Sequence, residues 1–183
     1  MLAAMDTIMT LVDMQTRLMP SIHNREALER NTAALIRGCK LLGVQIAVLH
    51  QYTKGLGETV PALQEALGDY CPIEKLTFSA CQTEEYIQRL EFYNETCVIV
   101  AGVEAHICVQ MTVLDLLSAD YRVYVVADCI GSRKEVDIHY AIERMRQAGA
   151  IITTMESILF EMMGRADHPK RKAISGLITN PDS

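Results

Sequence analysis

The sequence has no surplus of positive charge. Its 17 lysines and arginines are outnumbered by 23 aspartates and glutamates, which gives a net charge of −6 at pH 7. Apart from the short run 170–172 (KRK), the basic residues are scattered among acidic ones. Because binding to nucleic-acid phosphates needs clustered lysine and arginine, we predict no nucleic-acid partner.

Long apolar runs and a charged leader are also missing. No hydrophobic stretch reaches the roughly 20 residues that span a bilayer. Residues 1–6 lack the positive segment that begins a secretory signal. We therefore predict no membrane partner and a cytoplasmic protein.

None of the cysteines belongs to a CxxC motif, which argues against a zinc knuckle and against a redox pair. A chain of 183 residues with regular apolar segments is also unlike a small disulfide scaffold. We expect reduced thiols, as in the cytosol. The six cysteines are Cys39, Cys71, Cys81, Cys97, Cys108 and Cys129.

Signatures of nucleotide and metal binding are absent as well. Residues 55–60 (GLGETV) begin like GxGxxG but lack the third glycine, and no GxxxxGK[ST] occurs. No Asp-x-His pair follows the second predicted strand. We therefore predict neither a cofactor nor a built-in metal.

What the sequence does contain is an alternation of apolar strands and helices, with half of its residues hydrophobic. Strands this apolar, joined by helices, indicate a parallel sheet covered on both faces. We predict one doubly wound α/β domain over residues 1–183. The predicted strands are 7–12, 45–50, 73–76, 96–101, 122–127 and 150–154, and the predicted helices are 24–42, 61–67, 83–92, 105–118 and 135–148. Asn24 is expected to cap the first helix, and Ser132 with Glu135 to form a capping box for the last.

The predicted helix 105–118 has almost no polar side. A helix of this kind lies in the core or is covered by another subunit, and the second alternative predicts a homo-oligomer. Its apolar residues are Val109, Met111, Val113, Leu114, Leu116 and Leu117.

Three reactive side chains lie near predicted strand ends, where open α/β sheets place their active sites. Asp13 follows the first strand, Lys75 lies in the third, and Cys108 begins the helix after the fourth. The positive end of a helix and a nearby lysine both favour a thiolate, so a lowered pKa is expected for Cys108, with Asp13 as a possible general base. Taken singly, each residue also fits a structural role: a buried thiol, a turn-capping aspartate and a surface lysine.

Histidine is the usual rival partner for a nucleophilic cysteine. His106 lies two residues before Cys108, a spacing at which side chains on one helix do not face each other. His50 ends the second strand and is a candidate for lining a pocket. The remaining histidines lie in polar surroundings and are read as surface residues: His23, His139 and His168.

Several longer segments resemble the isochorismatase-like cysteine hydrolases. Residues 11–15 (LVDMQ) look like the family's first-strand VDxQ signature, and residues 74–80 (EKLTFSA) are similar to the segment that carries its lysine. Residues 102–109 (GVEAHICV) match its nucleophile loop. Residues 51–61 (QYTKGLGETVP) resemble the branch of isochorismatase domain-containing proteins. The resemblance extends from about residue 7 to residue 178.

This resemblance implies a Rossmann-like three-layer α/β/α sandwich with a six-stranded parallel sheet. It implies Cys108 as nucleophile, Asp13 as general base and Lys75 as charge partner. It also implies a cis peptide between Val103 and Glu104 that aims the N–H groups of Glu104 and Cys108 at one oxyanion.

The departures from the family pattern concern the substrate. The metal motif of the nicotinamidase branch is replaced by residues 50–52 (HQY). Glu104 brings into the nucleophile loop a carboxylate that either repels anionic substrates or forms an ion pair away from the pocket. The missing metal motif disfavours nicotinamide as a substrate. The additional carboxylate disfavours the dianion isochorismate.

Two functions remain open. The first is hydrolysis of a small amide or a related small molecule through a covalent cysteine intermediate. The second is a catalytically silent family member that acts as a binding or scaffolding protein. Candidates for lining the substrate pocket are His50, Tyr52, Leu56 and Phe78, each of which also suits core packing.

Overall fold

The strands are nearly continuous runs of buried side chains, as parallel strands with helices on both faces must be. The computed structural model describes residues 2–93 and 96–179. Every residue of β1 (Thr7–Val12) and β4 (Cys97–Val103) is buried. The other strands are β2 (Gln45–Gln51), β3 (Ile73–Lys75), β5 (Arg122–Gly131) and β6 (Ile151–Thr153).

The strand order is β3-β2-β1-β4-β5-β6, and every neighbouring pair is parallel. The chain first builds outwards from β1 to β3, then crosses back to add β4 on the other side of β1. This is the Rossmann order with its switch point between β1 and β4, so the predicted fold class is confirmed.

Helices cover both faces of the sheet and give it two separate cores. One layer holds α1 (Arg25–Leu41), α3 (Pro61–Leu67), α7 (Met155–Met163) and α8 (Arg171–Thr179). The other holds α4 (Glu84–Tyr93), α5 (Gln110–Ser118) and α6 (Glu135–Gln147). The short α2 (Thr53–Leu56) lies in the loop after β2. Within the described residues, no helix has the length and apolarity needed to cross a membrane.

Three local predictions are wrong. The strand predicted to end at residue 127 continues to Gly131, after a register shift in its pairing with β4 beyond Val100. Ser132 does not cap the following helix: Lys134 occupies the N-cap, and the Ser132 hydroxyl is 2.9 Å from Nδ1 of His106. Asn24 does occupy the N-cap of α1, but in a left-handed conformation without a side-chain capping bond.

The predicted apolar helix 105–118 consists of two elements, and the second of them has a buried side and an exposed side. A π-helical turn, Ala105–Val109, leads into α5. Val113 and Leu116 on α5 are completely buried against the sheet, which confirms that one face belongs to the core. Met111 on the other side is 41% exposed, so this helix also presents an apolar face to the surface.

Gly102 lies where β4 passes closest to β1. Its φ is +121°, a conformation that L-residues with a side chain rarely adopt, and it is paired with Val12. A Cβ at this position would overlap the carbonyl oxygen of Val12. Glycine is therefore required for the two strands to meet directly before Asp13.

We expect Gly102→Ala to lower the free energy of unfolding by about 3 kcal/mol, because it adds a backbone clash to an unfavourable φ. The matched control is Gly149→Ala, since Gly149 has a φ of +112° but no atom within 4 Å of a Cβ; its cost should be about 1 kcal/mol. Urea unfolding measures both. Equal losses would show that the contact with Val12 is not the constraint.

Candidate active site

The switch point of the sheet brings together residues that are far apart in the sequence. Asp13 directly follows β1, and Cys108 lies in the π-helical turn after β4. Lys75 is the last residue of β3, which lies two strands from β1 and on the opposite side of β1 from β4. Because the carboxyl ends of parallel strands meet at one edge, all three side chains converge there, as the sequence predicted.

Asp13 and Lys75 form a buried ion pair. Lys75 Nζ donates to Asp13 Oδ2 over 2.7 Å, and the two side chains are 0% and 1% exposed. Burial raises the pKa of the Asp13 carboxyl, while the Lys75 charge and the hydrogen bonds from Lys75 and Cys108 oppose that rise. Within the described residues, Oδ1 of Asp13 has no conventional hydrogen bond. One oxygen of this buried carboxylate therefore lacks a hydrogen-bond partner, while the other accepts from Lys75.

The thiol of Cys108 interacts with both members of this pair. It is only 7% exposed. Burial and then the Asp13 carboxylate raise its pKa to about 12, against the lowering effect of Lys75. The predicted lowering of this pKa is wrong, because burial and a neighbouring carboxylate outweigh the lysine. With this pKa, Cys108 is a thiol at neutral pH.

Lys75 has a further partner that sequence reasoning missed. Its Nζ lies 2.6 Å from Oε1 of Gln51 and 3.4 Å from the carbonyl oxygen of Thr77. Gln51 and Lys75 are opposite each other in the ladder between β2 and β3. Only the register of these two strands could have revealed this contact, since the residues are 24 positions apart.

Glu104 is neutralised by an ion pair at the nucleophile loop. The peptide between Val103 and Glu104 is cis, as the family resemblance implies. Glu104 is buried, and its Oε2 accepts from Nε of Arg133 over 2.9 Å. Of the two alternatives for this carboxylate, the structure supports the ion pair.

The predicted lining residues fall into two groups. Tyr52 and Phe78 are 49% and 55% exposed and flank β3, and the amide of Tyr52 donates to the carbonyl oxygen of Lys75. Leu56 is partly buried at the end of α2. His50 is buried with Nε2 2.7 Å from Oγ1 of Thr59. By strand alternation it points to the opposite face from Gln51, so its predicted role as a lining residue is not supported.

Among the residues that the structure describes, the other titratable groups do not assemble a second centre. His106 contacts Ser132 rather than Cys108, as its spacing predicted. Asp128 has a structural role, because its Oδ1 accepts from the amide of Met155 at the start of α7 over 2.8 Å. Across the described part of the chain, no three His, Cys, Asp or Glu side chains are grouped to hold a metal ion.

Comparison with known sequences yields a consistent set of relatives. The family model described as the isochorismatase domain matches residues 7–157. Isochorismatase domain-containing protein 1 of Salmo salar is 37% identical over 172 residues, which are 94% of this chain and 60% of that protein. Isochorismatase domain-containing protein 2 of Xenopus laevis is 35% identical over 177 residues, covering 96% and 84%. The chain therefore spans less than two thirds of the type 1 relative.

Solved structures agree with these relatives. A protein of Caenorhabditis elegans described as MAR1 ribonuclease superposes with a TM-score of 0.92 at 36% identity, covering 97% of this chain and 92% of that one. The YcaC gene product of Escherichia coli, described as an octameric hydrolase of unknown specificity, gives 0.87 at 26% identity and covers 97% and 87%. Both superpositions therefore include nearly all of this chain.

The opposed effects of Asp13 and Lys75 on Cys108 can be measured by alkylation. Because the thiolate is the reacting species, Asp13→Asn should speed iodoacetamide labelling of Cys108 and Lys75→Met should slow it, each by about tenfold per unit of pKa. Mass spectrometry at pH 7–10 measures the rates. Cys71, which is exposed, is the internal reference. Rate changes of the same sign in both variants would contradict the observed arrangement.

Proposed function

This chain belongs to the isochorismatase family of hydrolases, and on that premise we propose that it is a cysteine hydrolase of a small amide or related acyl compound. The observation that carries the proposal is the convergence of Cys108, Asp13 and Lys75 at the switch point, with the carboxylate and ammonium 2.7 Å apart. A nucleophile, a base and a fixed positive charge are the groups that covalent acyl transfer requires.

The first half-reaction begins with transfer of the thiol proton from Cys108 to Asp13. The sulfur attacks the carbonyl carbon, and the Lys75 ammonium stabilises the negative charge that develops on the thiolate. When the tetrahedral intermediate collapses, the C–N bond breaks and Asp13 returns the proton to the leaving amine. A thioester on Cys108 remains.

In the second half-reaction water is the nucleophile. Asp13 takes a proton from the water, which attacks the thioester carbonyl and releases a carboxylic acid, and the proton returns to the sulfur. The raised pKa of Asp13 supports this role, because burial makes the carboxylate a stronger base than an exposed aspartate. The N–H groups of Glu104 and Cys108 are proposed to stabilise the oxyanion in both steps.

The charges at the site disfavour a dianionic substrate. Lys75 is paired with Asp13, and Arg133 is paired with Glu104 of the same loop as Cys108. An anion would have to displace one of these carboxylates to gain a charged partner. A neutral amide or ester avoids this cost, so we propose a neutral acyl group rather than isochorismate.

Two alternatives compete with acyl transfer. A catalytically silent binding protein would retain the fold without using Cys108. The description of the nematode relative as a ribonuclease suggests RNA as a substrate, but the net charge of −6 and the pairing of both nearby cations give phosphates little to bind.

The test is to trap the acyl-enzyme with p-nitrophenyl acetate, a generic activated ester. We expect one acetyl group on Cys108, located by peptide mass spectrometry, together with release of one equivalent of p-nitrophenol. Cys108→Ser should abolish this adduct, and Asp13→Asn should slow hydrolysis of the acetyl group from Cys108 by about 10²–10⁴-fold, through loss of the base that activates water. The same Asp13 variant is expected to speed alkylation. The alkylation assay thus measures the effect of Asp13 on the pKa of Cys108, and the acetylation assay measures its role as a base.

The matched control is Cys71→Ser, which removes an exposed thiol and should leave acetylation of Cys108 unchanged. Absence of the adduct in the wild type, with a panel of small amides also unhydrolysed, would favour the binding protein. Cleavage of an RNA oligonucleotide that survives Cys108→Ser would favour a nuclease.

We further propose that the chain assembles into a homo-oligomer. The Escherichia coli relative is described as octameric, and α5 presents Met111, with Leu114 and Leu117 partly buried beside it. Light scattering should give a mass that is a multiple of 20.4 kDa. A mass of one chain at micromolar concentration would contradict assembly. Location in the cytoplasm remains a prediction.

A further inference from the structure

Gln51 contacts Lys75 as closely as Asp13 does. Its Oε1 lies 2.6 Å from Lys75 Nζ, compared with 2.7 Å for Oδ2 of Asp13. The two residues are register partners on β2 and β3, so their side chains project from the same face. The pairing of β2 with β3 therefore brings the two side chains into contact.

The amide of Gln51 has a fixed orientation. Its Nε2 donates to the carbonyl oxygen of Leu76 over 3.0 Å, while its Oε1 accepts from Lys75. A carbonyl oxygen can only accept and an ammonium can only donate, so the two partners together determine which end of the amide faces Lys75. The side chain thus presents an acceptor to the lysine and cannot rotate without losing both bonds.

A neutral acceptor suits this position electrostatically. The Lys75 side chain is completely buried, so its ammonium needs acceptors for three N–H groups. Asp13, Gln51 and the carbonyl of Thr77 provide them. Because Gln51 is uncharged, it holds the ammonium without competing with Asp13 as a second carboxylate.

Gln15 fixes the main chain of Gln51. Oε1 of Gln15 accepts from the amide of Gln51 over 2.8 Å, and its Nε2 donates to the carbonyls of Gln51 and Gly57 over 3.1 and 2.6 Å. Gln15 is completely buried and lies two residues after Asp13. Its side chain continues the connection between β1 and β2 beyond the last backbone pair, Val12 with Leu49.

We propose that Gln51 is a positioning residue that holds the Lys75 ammonium against Asp13 and Cys108. It acts through Lys75 and need not touch the substrate. A role of Gln51 in catalysis rests on the proposed function. Its effect on the pKa of the Cys108 thiol does not, because that effect can be measured without a substrate.

The test compares iodoacetamide labelling of Cys108 at pH 7–10 in the wild type and in Gln51→Met. Loss of the acceptor disfavours the charged lysine, so the thiolate loses its positive neighbour. We expect labelling to slow by about tenfold, the change in thiolate fraction for one pKa unit. A merely structural role predicts the opposite sign, because loosening the site would expose the thiol and speed labelling.

The controls separate Gln51 from its surroundings. Gln45→Met changes the exposed first residue of the same strand and should leave the labelling rate unaltered. Gln51→Asn is one methylene too short to reach Nζ and should slow labelling in the same way, which provides a polar variant should Gln51→Met fold poorly. In a Lys75→Met background, Gln51→Met should add no further effect, since the two substitutions share one interaction.

Unchanged or faster labelling in both Gln51 variants, or additive effects in the double variant, would overturn the proposal. Because alkylation requires no substrate, the result is independent of the acetylation assay. Slower alkylation in the Gln51 variants, without an acetyl adduct in the wild type, would support the role of Gln51 and count against the hydrolase. An acetyl adduct in the wild type, with unchanged alkylation in the Gln51 variants, would support the hydrolase and overturn the role of Gln51.

Discussion

The buried ion pair between Asp13 and Lys75 is the interaction on which the site depends. Neither charge is tolerable alone in the interior, since a buried ion without a partner costs several kcal/mol. The pair therefore requires β1 and β3 to end at the same depth, and β2, which lies between them, to keep its register. Gln51 and Gln15 supply the polar contacts that hold these three strand ends together.

The sequence predicted the architecture because each strand and helix has a hydrophobic pattern that is visible within its own segment. The resemblance to a known family then supplied the strand order and the grouping of Asp13, Lys75 and Cys108. Contacts that depend on the register of neighbouring strands could not be predicted from the sequence. Gln51 faces Lys75 because of the register between β2 and β3. In the same way, β5 continues past residue 127 after a register shift against β4. Ser132 had the spacing of a helix cap, but the structure places its hydroxyl against His106.

The sign of the pKa shift at Cys108 shows a different limit of sequence reasoning. A helix start and a lysine were visible in the sequence and predicted a thiolate. Burial and the proximity of a carboxylate are properties of the folded chain, and they dominate. Burial also raises the pKa of Asp13, against the lowering effect of Lys75, so burial shifts the pKa of both groups in the same direction.

The raised pKa of Cys108 also affects how this thiol reacts with oxidants. Peroxide oxidises thiolates far faster than thiols, so cysteines of low pKa are the first to become sulfenic acids. Because burial and Asp13 raise the pKa of Cys108 to about 12, this cysteine is a thiol at neutral pH. Its environment therefore disfavours oxidation by peroxide, in contrast to cysteines of low pKa.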